Sequence, residues 1–158
     1  MEEIARFEAA VTLAAGLHRS QIRKGSGIPY VSHLMGVASL SMEASVYCDV
    51  GTATDIGIGA LLHDAIEDQG DKITLADIES QFGRLPAEIV KDCTDSHTTP
   101  RPPWKARKEK YIAEIHRKGL ASQLVSAADK LHNARAIVFD YSQVGACLLY
   151  TSPSPRDS

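Results

Sequence analysis

The run His63-Asp64-Ala65-Ile66-Glu67-Asp68 constrains this chain more than any other stretch, because it sets one imidazole and three carboxylates inside an apolar segment that opens with Gly59-Ala60-Leu61-Leu62. Burying four ionisable groups in such surroundings costs several kcal/mol unless something pairs them. A bound cation is the least costly pairing agent, so a fold for this chain has to bring further ligands to that run.

At 158 residues, 44% apolar and 23% charged, the chain suits one globular domain with a moderate core. The formal charge of −3 and a pI near 6.0 exclude the broad basic footprint of a nonspecific DNA or membrane binder. Nucleic acid is therefore not an expected partner, although a local basic patch can still receive a phosphate group. Cys48, Cys93 and Cys147 are odd in number and in no CxxC spacing, which suggests neither a disulfide framework nor a zinc-thiolate site. Met1-Glu2-Glu3-Ile4-Ala5-Arg6 is acidic and lacks an apolar continuation, and no apolar run approaches ~18 residues. The expectation is a soluble, cytoplasmic protein with no membrane partner.

Helical periodicity dominates, and the fold class expected is all-α, a single helical bundle. Ile4, Phe7, Val11, Ala14, Ala15 and Leu17 predict a helix over 3–22, ended by Gly25-Ser26-Gly27-Ile28-Pro29. A second runs from about Tyr30 to Cys48. The third starts with Thr52 or Thr54 as N-cap and carries the ionisable run near its C-terminal end, before Gln69-Gly70. Thr74-Leu75-Ala76-Asp77 has the form of a capping box ahead of a helix stopping at Phe82-Gly83, and Pro86 suits the first turn of the next. Thr98 to Pro103 reads as a stiff basic loop. Helices follow over 104–117 and 121–139, the latter with Leu124, Val125, Ala128, Leu131 and Ile137 as its apolar stripe. The domain is expected to cover residues 1–146. The Pro- and Ser-rich end, 147–158, reads as a disordered, non-native tail resembling translated sequencing-adapter read-through, which makes the domain C-terminally truncated.

On a continuous helix Glu67 lies four residues after His63, and Asp68 four after Asp64, so all would share one broad face. His63 and Asp64 supply only part of a coordination shell. His33, in Pro29-Tyr30-Val31-Ser32-His33, and Asp129, in Ala127-Ala128-Asp129-Lys130, are ionisable residues in otherwise apolar helices. Each alone reads more simply as a core histidine or a solvated acid; one metal explains both. Two imidazoles and two carboxylates without thiolate favour Mn²⁺, followed by Fe²⁺, Co²⁺, Mg²⁺ and Zn²⁺. Such an ion with open positions activates water and polarises a phosphoryl oxygen. Glu67 and Asp68 are then left to orient that water and move its proton. Arg23, Lys24, Lys130, Asn133 and Arg135 are candidates for holding a phosphorylated substrate. His132 has a less favourable phase and reads as structural, His18 as an outer residue of the site, and His97 and His116 as exposed.

These residues resemble a known family. His33, the doublet His63-Asp64 and the distant Asp129 look like the H…HD…D signature of HD-domain metal-dependent phosphohydrolases. More narrowly, Arg23-Lys24, the His63–Asp68 run, Phe82-Gly83 and Ala128-Asp129-Lys130-Leu131-His132-Asn133-Ala134-Arg135 are similar to the hydrolase domain of Rel/Spo-type alarmone enzymes, over about residues 5–140. That resemblance implies an all-helical HD-domain bundle, one Mn²⁺ on His33, His63, Asp64 and Asp129, and removal of pyrophosphate from the 3′ position of guanosine tetra- or pentaphosphate. It implies that Glu67 and Asp68 handle the water, that Asn133 meets the sugar or phosphate side, and that Arg23 and Lys24 approach base and phosphates. It also implies helices beyond about residue 140, whose absence would expose apolar surface and favour a homo-oligomer.

The chain departs from that pattern in a loop one residue longer between Lys24 and Pro29, in Gln69 where threonine is usual, and in Asp95 near a usual lysine. Two other readings fit the same residues. One is an HD-domain nucleotidase or phosphodiesterase with a different phosphorylated substrate; the other is a catalytically idle nucleotide-binding module.

Overall fold

In the computed structural model, which describes residues 2–94 and 103–145, eight α-helices follow one another: α1 Glu2–Leu17, α2 Val31–Ser45, α3 Ala53–Leu61, α4 Ala65–Gln69, α5 Leu75–Phe82, α6 Arg84–Cys93, α7 Trp104–Glu114 and α8 Leu120–Val144. A 3₁₀ turn, Ile115–Arg117, leads from α7 towards α8. The all-α expectation holds; the one β-type pairing among the described residues is an isolated bridge between Ile22 and Pro29. Most of the basic loop, Asp95, His97 and the tail 147–158 lie outside the described residues. No described helix is long and apolar enough to cross a membrane.

The core is built around α3. This helix packs on α2, α6 and α1, while α8 lies against α2 and α6. Leu34, Ile56, Ile58, Leu61, Leu62 and Ile89 are fully buried in this core, joined by Ile78 from α5, which packs on α6. Each such side chain contributes roughly 1.5–3 kcal/mol by leaving water. Gly59 permits the close approach of α3 to α6, since a Cβ there would lie 2.7–2.9 Å from three side-chain atoms of Ile89.

Local signals place most boundaries. The Thr52 hydroxyl accepts from the Asp55 amide and caps α3, and Thr74 with Asp77 completes the reciprocal capping box of α5. Two boundaries differ from the sequence expectation. Helix α1 stops at Leu17 rather than near residue 22, and His18 Nδ1 instead meets Gln21 Oε1 at 2.7 Å in the turn that follows.

The third helix also ends early, at Leu61, so the ionisable run does not ride on one continuous helix. The Ala60 carbonyl, which a continuous helix would offer to the Asp64 amide, accepts from His63 Nδ1 at 2.7 Å. The Ala65 amide then bonds to the Leu62 carbonyl at 2.8 Å, a tight turn, before α4 begins.

The expected apolar stripe of α8 is half right. Val125 and Ala128 are buried and Leu124 is half-buried, but Leu131 and Ile137 are exposed. The face of α8 turned to α2 carries Asp129 and His132, both in contact with His33. Leu131, about 100° round the helix from His132, therefore points away from it.

Candidate metal centre and active-site cleft

Three elements deliver the four expected ligands. The first turn of α2 carries His33, the break between α3 and α4 carries His63 and Asp64, and the middle of α8 carries Asp129. Donor atoms of His33, His63 and Asp64 all lie within 4.8 Å of one another. Nε2 of His63 is 3.1 Å from Asp64 Oδ2. Asp129 Oδ1 sits 3.2 Å from His33 Nε2 and 3.8 Å from His63 Nε2. All four side chains are buried.

These residues fit a divalent cation. Donors ~2.2 Å from one centre stand roughly 3 Å apart when adjacent and roughly 4.4 Å apart when opposed, close to the span of His33, His63 and Asp64, with Asp129 next to the two histidines. The hydrogen bond to the Ala60 carbonyl puts the His63 proton on Nδ1 and turns the Nε2 lone pair to the cluster. Asp64 is oriented by the Tyr30 hydroxyl, which donates to Oδ2 at 2.5 Å.

Burial drives the His33 imidazole down to about 4, aided by His63 beside it and opposed by the Asp129 contact. Burial pushes the Asp129 carboxyl upward, but His33, His63 and Lys130 outweigh it and hold the group below the usual carboxylate range. A neutral imidazole and an ionised carboxylate are the forms that bind metal.

Glu67 and Asp68 diverge once α4 starts. Glu67 is buried, with Oε1 3.9 Å from Nη1 of the equally buried Arg107 on α7. Asp68 is half-buried and accepts from Gln21 Nε2 at 2.9 Å; Gln21 in turn meets His18. The expected shared face is thus replaced by two differently supported carboxylates, one turned to α7 and one to the turn after α1.

Of the candidate substrate residues, Arg23, Asn133 and Lys130 gather at Asp129. Arg23 Nη1 donates to Asn133 Oδ1 at 3.1 Å, Asn133 Nδ2 donates to Asp129 Oδ1 at 2.6 Å, and Lys130 Nζ donates to Asp129 Oδ2 at 2.5 Å. Lys24 and Arg135 are exposed. A shallow cleft open to solvent runs beside these residues and is lined by His63, Asp64, Cys93, Lys108, Tyr111 and Lys130 among others.

Residues 10–145 match the family model described as HD domain. The chain belongs to the HD domain family. It is 36% identical over 137 residues to the guanosine-3′,5′-bis(diphosphate) 3′-pyrophosphohydrolase MESH1 of Mus musculus and equally to that of Homo sapiens, covering 84% of this chain and 70% of each relative. It is 32% identical to a probable guanosine-3′,5′-bis(diphosphate) 3′-pyrophosphohydrolase of Synechocystis, over 81% of this chain and 16% of that larger protein. The solved structure of a metazoan ortholog of SpoT that hydrolyzes ppGpp superposes with a TM-score of 0.73 at 31% identity, covering 85% of this chain and 71% of the other.

Several residues of this HD domain site escaped the sequence reading. Tyr111 lies four residues after Arg107 and three after Lys108, so the three share one broad face of α7, a signal masked by the basic composition of that helix. The Tyr111 hydroxyl lies 2.6 Å from Ser126 Oγ, and the Lys118 ammonium sits 4.2 Å from the centre of its ring. His132, read as structural from its phase, places Nδ1 3.0 Å from Nδ1 of His33. Cys93 borders the cleft, but burial pushes its thiol up to about 12, against the opposing contact with Ser126, so it is no nucleophile at neutral pH. His116 is exposed, as expected.

Proposed function

We propose that this HD domain is a metal-dependent phosphohydrolase acting on a nucleotide, with guanosine 3′,5′-bisdiphosphate as its substrate and the 3′-pyrophosphate as its leaving product. The observation that carries the reading is the buried convergence of His33, His63, Asp64 and Asp129 at the edge of a cleft flanked by Lys108 and Lys130. The likeness to the MESH1 proteins narrows the substrate.

His33, His63, Asp64 and Asp129 would hold one divalent cation, Mn²⁺ ahead of Fe²⁺, Co²⁺, Mg²⁺ and Zn²⁺. When bound, that ion supplies Lewis-acid polarisation of a phosphoryl oxygen and a lowered pKa for water. Glu67 and Asp68 orient the attacking water and take its proton. The water oxygen bonds to the phosphorus carried by the 3′ oxygen, the bond from that phosphorus to the 3′ oxygen breaks, and guanosine 5′-diphosphate leaves with a 3′-hydroxyl, its oxygen taking up the proton that Glu67 and Asp68 removed from the water. Lys130, Arg23 and Asn133 hold phosphate and sugar oxygens, with Lys24 and Arg135 reaching from the rim. Lys108, which also lines the cleft, adds a positive charge to meet the negative charge that develops on the pyrophosphate.

The same proposal sets the domain at residues 1–146, outside the tail, and a cytoplasmic location. A second copy of the chain would cover the exposed Leu131, Val138 and Phe139 on α8; sedimentation velocity of the purified protein reads that state directly.

Hydrolysis in ¹⁸O water tests the bond assignment. The label is expected in pyrophosphate and absent from the guanosine product. Labelled orthophosphate as the primary product would assign a different cleaved bond.

A further inference from the structure

We propose that His132 is a positioning residue for the metal centre: its Nδ1 accepts the Nδ1 proton of His33 and thereby reserves the Nε2 lone pair of His33 for the cation. This rests on the metal reading above and goes beyond its four ligands.

The two Nδ1 atoms are 3.0 Å apart, with ring centroids at 4.9 Å and planes inclined by 61°. A nitrogen-to-nitrogen contact of that length holds one proton, which leaves two arrangements. If His132 donates, the proton of His33 sits on Nε2, points towards Asp129 and blocks the metal-binding lone pair. If His33 donates, its Nε2 is open. Nε2 of His33 is buried and makes no aligned hydrogen bond, even with Asp129 Oδ1 at 3.2 Å, which favours the second arrangement.

His63 shows the same division of labour within one site. Its Nδ1 faces the Ala60 carbonyl, which can only accept. His132 does for His33 what that carbonyl does for His63. Fixing the far nitrogen of a ligating histidine sets both its tautomer and its ring orientation.

The position of the His132 ring is itself specified by the fold. A Cβ on Gly36 would fall 2.3 Å from both Cδ2 and Nε2 of His132. Glycine on α2 therefore makes the room in which a ring from α8 reaches the back of His33.

Titration of the metal-free protein with Mn²⁺, following the free ion by electron paramagnetic resonance, tests the assignment. His132→Phe keeps the ring volume but removes the acceptor, and is expected to weaken Mn²⁺ binding by about 10–100-fold. Gly36→Ala should give a loss in the same direction with His132 intact, because it displaces the ring. His132→Gln, whose amide oxygen can accept, should recover part of the affinity, and it carries the test with Gly36→Ala if the phenylalanine variant does not fold. Wild-type binding with all three variants unchanged would overturn the role of His132 and leave the metal centre standing. Failure of the wild-type protein to bind Mn²⁺ would remove the metal reading and this proposal together.

Discussion

The hydroxyl of Tyr30 donates to Oδ2 of Asp64 at 2.5 Å, joining the N-terminus of α2 to the break between α3 and α4 inside the core. Removing that donor in Tyr30→Phe should weaken Mn²⁺ binding by about 10-fold, the effect typical of losing a partner behind a metal ligand. Isothermal titration measures it, and unchanged affinity would mean that Asp64 is held without the hydroxyl.

Arg107 and Glu67 form a buried ion pair across α7 and α4. Arg107→Ala leaves a buried carboxylate without that cation and should cost about 3 kcal/mol in urea unfolding. The double variant with Glu67→Gln should lose less than the sum of the two single changes. Strict additivity would show that the pair is not coupled.

The metal-free protein should lose stability as pH falls from about 6.5 towards 4. His33 is depressed from 6.5 to about 4 in the folded state, so over that interval the unfolded chain binds the extra proton and unfolding gains. The contribution is complete above 6.5 and amounts to about 3 kcal/mol. Asp129, held below the usual range, extends the loss to still lower pH. Thermal midpoints of wild type and His33→Gln across this range should converge in acid; parallel curves would contradict the assignment.

Gly59→Ala should destabilise the bundle by about 1–3 kcal/mol through the clash with Ile89. Because α3 leads directly into His63 and Asp64, Mn²⁺ affinity should fall as well. Denaturant unfolding alongside a metal titration separates the two effects.

The helical bundle was legible in the sequence because periodicity marks cores, and His33, His63, Asp64 and Asp129 could be picked out as a group because ionisable residues in apolar surroundings need a common explanation. The capping box at Thr74 was equally plain, since it depends on residues three positions apart, whereas the cap of α3 was left between Thr52 and Thr54 and the structure places it at Thr52. The break at Leu62–Asp64 was not legible. It depends on a side chain taking a backbone carbonyl, a competition that helix periodicity does not register. Arg107 and His132 were hidden for a related reason: their significance lies in partners from distant helices, Glu67 and His33, and phase along one helix is silent about them. Leu131 and Ile137 misled because an apolar residue near a buried face need not lie on it.

Pyrophosphate release from guanosine 3′,5′-bisdiphosphate by the metal-stripped protein, measured with and without added Mn²⁺ and repeated for Asp64→Ala, tests the central claim most directly. Stoichiometric pyrophosphate and guanosine 5′-diphosphate are expected with Mn²⁺, no turnover without a divalent ion, and at least a ~100-fold loss in Asp64→Ala. A wild-type protein that binds Mn²⁺ at these residues yet leaves the nucleotide intact, or an Asp64→Ala variant as active as the parent, would contradict it.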